Sequence, residues 1–364
     1  LSFPLIGFAF VITLILLRVR TPPGDVKEKL KRLDVFGNLI FISGTTAALI
    51  GVTWAGVRYP WDSAHVLGTI IPGFILIAVF FAYEWIVPKE ASIPWQVVNN
   101  RTTVAGLLGT FFHGITSLSV FYYMPVYFQA CHGASPLRSS VMFLPLALTM
   151  SPFAFTAGGL VHVFKKYRWA ILLAWSLSLV GFGLLSTLTA DISTGHWVGY
   201  QIVVGVGTGL LFTATVFPLL APLPVSRTAA ALAFFSFCRT FAQAWGIAIG
   251  STVLQNELAR TLPAGFAARF PTGADIAYAA IPALRALPDP TLRAVVEAAF
   301  AQSLRVLWLT MVGVSGLGWL SVWMMREIKM EVKTDATYGL NEGKRRRRDV
   351  EKAAPGAEAT DVQI

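Results

Sequence analysis

FFSFCRTFAQAWGIAIG, residues 234–250, reads as a membrane-spanning helix with a cation set into it, Arg239. A guanidinium stays ionised at any accessible pH and has only donors to offer. At the centre of a hydrocarbon core it costs about 2.5–3.5 kcal/mol on insertion scales. At helical spacing Arg239, Gln243, Gly246 and Gly250 form one stripe, polar or without side chain, opposite Phe, Ala and Ile. Such a stripe faces protein or a water-filled cavity, not lipid. The helix therefore belongs to a bundle.

The rest of the chain has the same character. Its 364 residues are 55% hydrophobic and 13% charged, with a mean hydropathy of +0.63. A soluble domain carries about 25% charged residues. Apolar runs near the ~20 residues that cross a bilayer recur at 1–17, 36–55, 66–86, 104–128, 139–161, 169–188, 198–221, 229–253 and 304–325. About nine spans joined mostly by short loops make an all-α polytopic membrane protein, with the lipid bilayer as its first partner. Leu1 opens an apolar run with no basic segment before it and no small-residue cleavage site after it. It is expected to be a span whose start is missing, not a signal peptide.

The net charge of +10 does not point to nucleic acid, because its distribution follows the membrane. Arg18, Arg20, Lys27, Lys29, Lys31 and Arg32 follow the first span; Lys165, Lys166 and Arg168 follow the fifth; the alternate short loops hold only Arg58 and Arg138. The positive-inside rule puts the 18–35 connector and the basic tail, 326–364, in the cytoplasm. A long segment at 255–303 then lies outside, and DPTLRAVVEAAFAQSL (289–304) is expected as an amphipathic helix at the surface. The NRT sequon at Asn100 falls inside and is expected to be unmodified.

Together with these spans, four stretches carry a resemblance: RVRTPPGDVKEKLKRLDVFGNLIF (18–41), GVTWAGVRYPWDSAHVLG (51–68), FYYMPVYFQACHGASPLRSSVMFLPLALTMSP (121–152) and FFSFCRTFAQAWGIAIGSTVLQNEL (234–258). In order and spacing they resemble the fungal fourteen-span drug:proton antiporters of the major facilitator superfamily. Ala242 departs from a glycine usual in that family. The resemblance implies an incomplete major facilitator fold. Residues 1–17 would be the last helix of the N-terminal bundle, 36–86 two extra transmembrane helices, and 104–325 the C-terminal six-helix bundle, with five preceding helices absent. It implies export of small amphipathic molecules, drugs, toxins or secondary metabolites, by proton antiport in the full-length protein. Protons would be carried by acidic groups of the missing N-terminal half. Siderophore or other metabolite transport on the same scaffold is one alternative; a truncated, non-transporting membrane protein is another. The plasma membrane is the expected location, with the vacuolar membrane as a second possibility.

Several residues could act within such a fold. Arg239 and Gln243 would line a cavity, or Arg239 would be satisfied by backbone carbonyls of a neighbouring helix. Only Glu84 is a carboxylate within a span, near its end, with Asp34 and Asp191 at span ends. A deep counter-charge for Arg239 would then come from an absent helix or an anionic substrate. His113 sits about 15 Å into its span, sharing a face with Thr110 and Ser117. It could bind a proton or a substrate, or be a neutral histidine bonded between helices. Tyr123, beside Tyr122 and near Tyr127, could face the cavity or belong to an interfacial belt. Pro125 should kink the helix and could hinge an outer gate. GVGTGL (205–210) lacks the strand and acidic residue of a dinucleotide site. Gly205 and Gly209 instead suit close helix packing, and Gln201, one turn earlier, could reach the cavity. Cys131 and Cys238 form no CxxC. No metal or cofactor is expected, and no catalytic motif supports an enzyme.

Overall fold

A computed structural model describes residues 2–16, 34–87, 93–164, 166–224, 227–270 and 276–328. The basic connector after the first span and the tail beyond Ile328 lie outside the described residues. Among the described residues there are nine long helices: α1 (Ser2–Leu16), α2 (Val35–Trp54), α3 (Ala64–Ile86), α4 (Arg101–Cys131), α5 (Leu144–Phe164), α6 (Tyr167–Leu185), α7 (Thr194–Ala214), α8 (Thr228–Thr261) and α9 (Pro290–Ser321). Eight of them are long and apolar enough to cross a membrane. The exception is α1, whose 15 described residues reach about 22 Å, less than the ~30 Å hydrocarbon core. It stands outside the unit formed by Leu33–Glu331 and is described by itself.

Helices α2 and α3 form a hairpin. Asp34 caps α2, its side chain accepting from Gly37 N at 2.9 Å, and Ser63 caps α3 through Val66 N at 3.3 Å. Gly37, Gly44 and Gly51, seven residues apart, are buried in the seam. A Cβ on Gly44 would lie 2.8 Å from Leu76 Cβ and 3.0 Å from Gly73 O, so this close approach needs small residues. At the far end of α2, Gly56 takes φ +72°, the left-handed region that favours glycine. The C-terminal end of α3 is fastened by Glu84, which is buried: its Oε2 accepts from Ile93 N at 3.1 Å, and its carbonyl from Trp95 Nε1 at 2.8 Å.

The hairpin lies along α8. Phe41 meets Phe237 and Phe241 with ring centroids 5.3 and 5.0 Å apart, and Phe74 stacks on Trp245 at 5.7 Å. Further along the same face, Thr252 Oγ1 donates to Val52 O at 2.8 Å and Asn256 Nδ2 to Ala55 O at 3.0 Å.

In the remaining bundle α4 is the most buried helix. It packs on α8 and α9, while α7 packs on α5 and α6, and α6 on α9. Small residues set these approaches. A Cβ on Gly205 would meet Leu146 O at 3.0 Å, and one on Gly209 would collide with Met150 O. Helix α4 runs through Pro125 as one 31-residue element.

The segment 255–303 differs from the sequence expectation. Helix α8 continues to Thr261, and 289–304 is not a surface helix but the start of the 32-residue α9. Asp289 caps it by accepting from Thr291 N at 2.9 Å. Val296, Phe300, Leu304, Leu307 and Met311 are all buried, so one apolar stripe passes without a phase break from the expected loop into the expected span. The amphipathic element of this region is instead the short helix Ile276–Arg285, which buries Ala277, Ala280, Ile281 and Leu284 against α4 and α8.

Candidate functional site

Helix α7 stops at Ala214, and a separate short helix, Phe217–Leu220, follows. Pro218 has no N–H for the Ala214 carbonyl, so the ladder cannot run on. At the break Thr215 N turns to Leu211 O at 3.3 Å, and Val216 N to Thr213 O at 3.2 Å. Val216 N is the donor that would serve the Phe212 carbonyl in a continuous helix. Phe212 O is thereby left without its helical partner, within an apolar span.

Arg239 fills that place. Its Nη2 donates to Phe212 O at 2.7 Å, with Thr215 Oγ1 at 3.5 Å. The guanidinium carbon lies 4.2 Å from the Phe212 ring centroid and 4.5 Å from that of Phe235. The cation is thus held between two aromatic faces, at the negative end of α7. Its Nε is buried without a partner. The one ion pair among the described residues, Arg260 with Glu257 at 3.4 Å, is elsewhere.

His113 reaches the same place from α4. It is fully buried, its Nε2 lies 3.1 Å from Thr208 O, and its ring stands edge-on to Phe212 at 6.2 Å. A carbonyl can only accept, so Nε2 carries the proton in the neutral ring, and Nδ1 is left as a buried acceptor with no partner. Phe212, 41% exposed, is the common element: Arg239 and His113 both touch it, and its ring edge reaches the surface of the bundle.

The other sequence candidates are not gathered there. Ser117 Oγ and Thr110 Oγ1 bond back to carbonyls of their own helix, at 3.2 and 2.8 Å. Gln201 is fully buried, donating to Met142 O at 3.0 Å and Trp197 O at 3.4 Å. Tyr123 is buried, and its hydroxyl donates to Ile247 O at 2.7 Å. Gln243 is half-buried. The stripe from Arg239 to Gly250 does not face an open cavity along its length. Gly246 and Gly250 sit against Ile115 and Tyr123 of α4, and Ser119 Oγ donates to Gly246 O at 3.0 Å. Only the Arg239 side chain reaches past α4 to α7.

Phe212, Phe235 and Thr208 escape a reading by residue type, because a phenylalanine in a span looks like any lipid-facing one. Their signal is Pro218, which breaks an apolar helix and frees a carbonyl within reach of a cation. No group of three or more His, Cys, Asp or Glu that could hold a metal ion occurs among the described residues.

Comparison with known proteins gives a consistent result. A family model described as fungal trichothecene efflux pump matches residues 19–303. The MFS-type transporter ucsD of Acremonium sp. is 35% identical over 362 residues, covering 97% of this chain and 62% of that protein. The MFS-type transporter gkaD of Penicillium citrinum is 34% identical, over 95% of this chain and 60% of its own length. Efflux pump FUS6 of Gibberella moniliformis is 32% identical, over 94% and 62%. The chain spans about three fifths of the length of these relatives.

Proposed function

Because the chain belongs to the fungal trichothecene efflux pump family, within the major facilitator superfamily of its relatives, we propose that it is the larger part of a secondary transporter that exports small amphipathic molecules. Trichothecene-like toxins and other secondary metabolites are the substrate class. Transport proceeds by alternating access, with proton antiport completed by the remainder of the full-length protein. The pieces are those of the sequence reading: α1 as the last helix of an N-terminal bundle, α2 and α3 as an added pair, and 104–325 as the C-terminal bundle. The charge rule puts the C-terminus in the cytoplasm, and the plasma membrane is the site of export.

The observation that carries the reading is the meeting of Arg239 and His113 on Phe212, at a helix broken inside the membrane. Interrupted helices with re-satisfied carbonyls are where transporters of this kind build their binding sites. Here the charge is screened by two rings and a carbonyl. What the site offers a ligand is an aromatic edge with a polar base, which suits uncharged amphipathic molecules better than anions. His113 is fully buried and acts on the ligand through the Phe212 ring that it holds.

The test is efflux from cells that express the full-length protein and lack other pumps, using a panel that includes a trichothecene, with and without a protonophore. Arg239→Ala and His113→Ala should each lower efflux at equal surface amount, and the protonophore should abolish the wild-type activity. Unchanged efflux in both variants removes the site assignment; insensitivity to the protonophore removes antiport.

A further inference from the structure

Helices α6 and α9 touch through the middle of the bundle, where Phe182 stacks on Trp308 at 6.3 Å. Toward the end remote from Met325 they part. A cavity of about 850 Å³ lies between the C-terminal turn of α6 with its following loop and the first turns of α9. Thr187, Thr189 and Asp191 line one side, and Glu297, Gln302 and Arg305 the other. Alanines at 294, 298 and 301 leave its wall shallow.

Two observations show what the cavity faces. On α6, Leu173 and Val180 are 55% and 57% exposed, and Thr187 continues their seven-residue spacing. On α9, Leu309 and Leu320 are 48% and 56% exposed, on the face that Gln302 and Arg305 continue. Both walls prolong lipid-facing stripes, so the cavity opens sideways into the bilayer.

Depth follows from helix length. Trp323, 58% exposed with Arg168 5.5 Å over its ring, marks the interface at the C-terminal end of α9. Arg305 lies twenty residues before Met325, about 30 Å along the helix, which is the thickness of the hydrocarbon core. It therefore stands at the opposite boundary. Glu297 is two turns farther out, about 12 Å, at headgroup depth. Glu297 accepts no hydrogen bond through its carboxylate and forms no ion pair among the described residues, and the C-terminus of α6 adds partial negative charge beside Asp191.

Along α9 the charges thus run in a fixed order, a guanidinium at the hydrocarbon boundary and then a carboxylate farther out, with Asp191 on the facing wall of the cavity. A zwitterionic phospholipid carries the complementary order, phosphate inside and ammonium outside. We propose that this cavity holds the headgroup of a phospholipid of the adjacent leaflet, with its phosphate at Arg305 and its ammonium at Glu297 and Asp191. The site depends on the chain spanning a membrane, and not on what it transports.

Native mass spectrometry of the purified full-length protein, reconstituted with phosphatidylethanolamine or phosphatidylglycerol, tests the assignment. Wild type should retain phosphatidylethanolamine several-fold more than phosphatidylglycerol. Glu297→Gln with Asp191→Asn should lose that preference while keeping some of both lipids; Arg305→Gln should lower retention of both. The two carboxylate changes keep side-chain shape, and Asp191→Asn alone, at an exposed position, serves where the double variant is not monodisperse. Equal retention of the two lipids by wild type overturns the proposal, as does an unaltered preference in the variants. Retention of soluble phosphoethanolamine in place of the lipid also overturns it, since the site would then take a solute.

Discussion

Gly246→Ala adds one methyl group at the tightest backbone crossing of α4 and α8. The new Cβ would lie 3.0 Å from Ile115 Cα and would collide with the Ile115 carbonyl oxygen, where ordinary contact begins near 3.4 Å. The obstacle is backbone within a helix, so no rotamer change relieves it, and the two helices must separate. Separation lengthens the Ser119 Oγ bond to Gly246 O, now 3.0 Å, and the Tyr123 hydroxyl bond to Ile247 O, now 2.7 Å. Overpacking costs about 1–3 kcal/mol, and interhelical hydrogen bonds in membranes average ~0.6 kcal/mol each. The expected loss is about 2–4 kcal/mol. Gly250→Ala should cost less, although its Cβ collides with Tyr123, because an aromatic ring end can swing aside. Gly313→Ala on α9 is the internal control: nothing lies within 4 Å of its Cβ, and helix propensity favours alanine by up to ~1 kcal/mol. Thermal survival of a fluorescent fusion of the full-length protein, followed by size exclusion, should rank Gly313→Ala at or above wild type, then Gly250→Ala, then Gly246→Ala. If Gly246→Ala melts with Gly313→Ala, the crossing of α4 and α8 is not as described.

Other changes follow from the same contacts. Arg239→Ala leaves the Phe212 carbonyl without a donor in an apolar span, a cost of about 1–3 kcal/mol, and should lower the amount reaching the surface as well as efflux; Arg239→Lys should restore the amount more than the activity, since an ammonium cannot lie flat between two rings. Gly56→Ala forces a left-handed alanine, roughly 1–2 kcal/mol, and collides with Asn256 Oδ1. Added to Asn256→Ala it should cost less than in the wild-type background, a shortfall that thermal unfolding of the single and double variants measures. Val295→Cys, at a position 50% exposed, should label readily with a small maleimide while Val296→Cys, at a fully buried one, resists; equal labelling would return 289–304 to a surface helix.

The spans were legible because hydrophobic runs of about twenty residues have few alternatives. Their ends were not. The start of α9 resembles a surface helix because Arg293, Glu297 and Gln302 make its outer face polar, and polarity in a narrow window is what an interfacial helix shows. What decides the matter is the phase of Val296, Phe300 and Leu304, which continues into Leu307 and Met311. The hairpin seam at Gly37, Gly44 and Gly51 was equally present in the sequence, as a seven-residue period of glycine that only a packing question would pick out. Contacts between helices, such as Gln201 with Met142 or Tyr123 with Ile247, could not be read at all, since they depend on which helices neighbour each other.

Arg239 shows where a residue-by-residue inventory misleads. Counting carboxylates suggests that a buried guanidinium without one must find its counter-charge on an absent helix or in an anionic ligand. The structure instead supplies the other compensation open to it, a backbone carbonyl of a neighbouring helix. Inserting the cation costs about 2.5–3.5 kcal/mol. A charge-assisted hydrogen bond to Phe212 O contributes about 1.5–3 kcal/mol, and each of two desolvated aromatic faces contributes about 1–2 kcal/mol. Together these contribute about 3.5–7 kcal/mol, at least the insertion cost, so no carboxylate is required to keep the arginine where it is. The need also runs the other way. Where α7 breaks ahead of Pro218, Val216 N turns to Thr213 O and the Phe212 carbonyl loses its helical donor, and a guanidinium is long enough to serve it from α8. Charge in this span is a consequence of the break in the next one, and the pair together fixes Phe212, the side chain that both Arg239 and His113 touch.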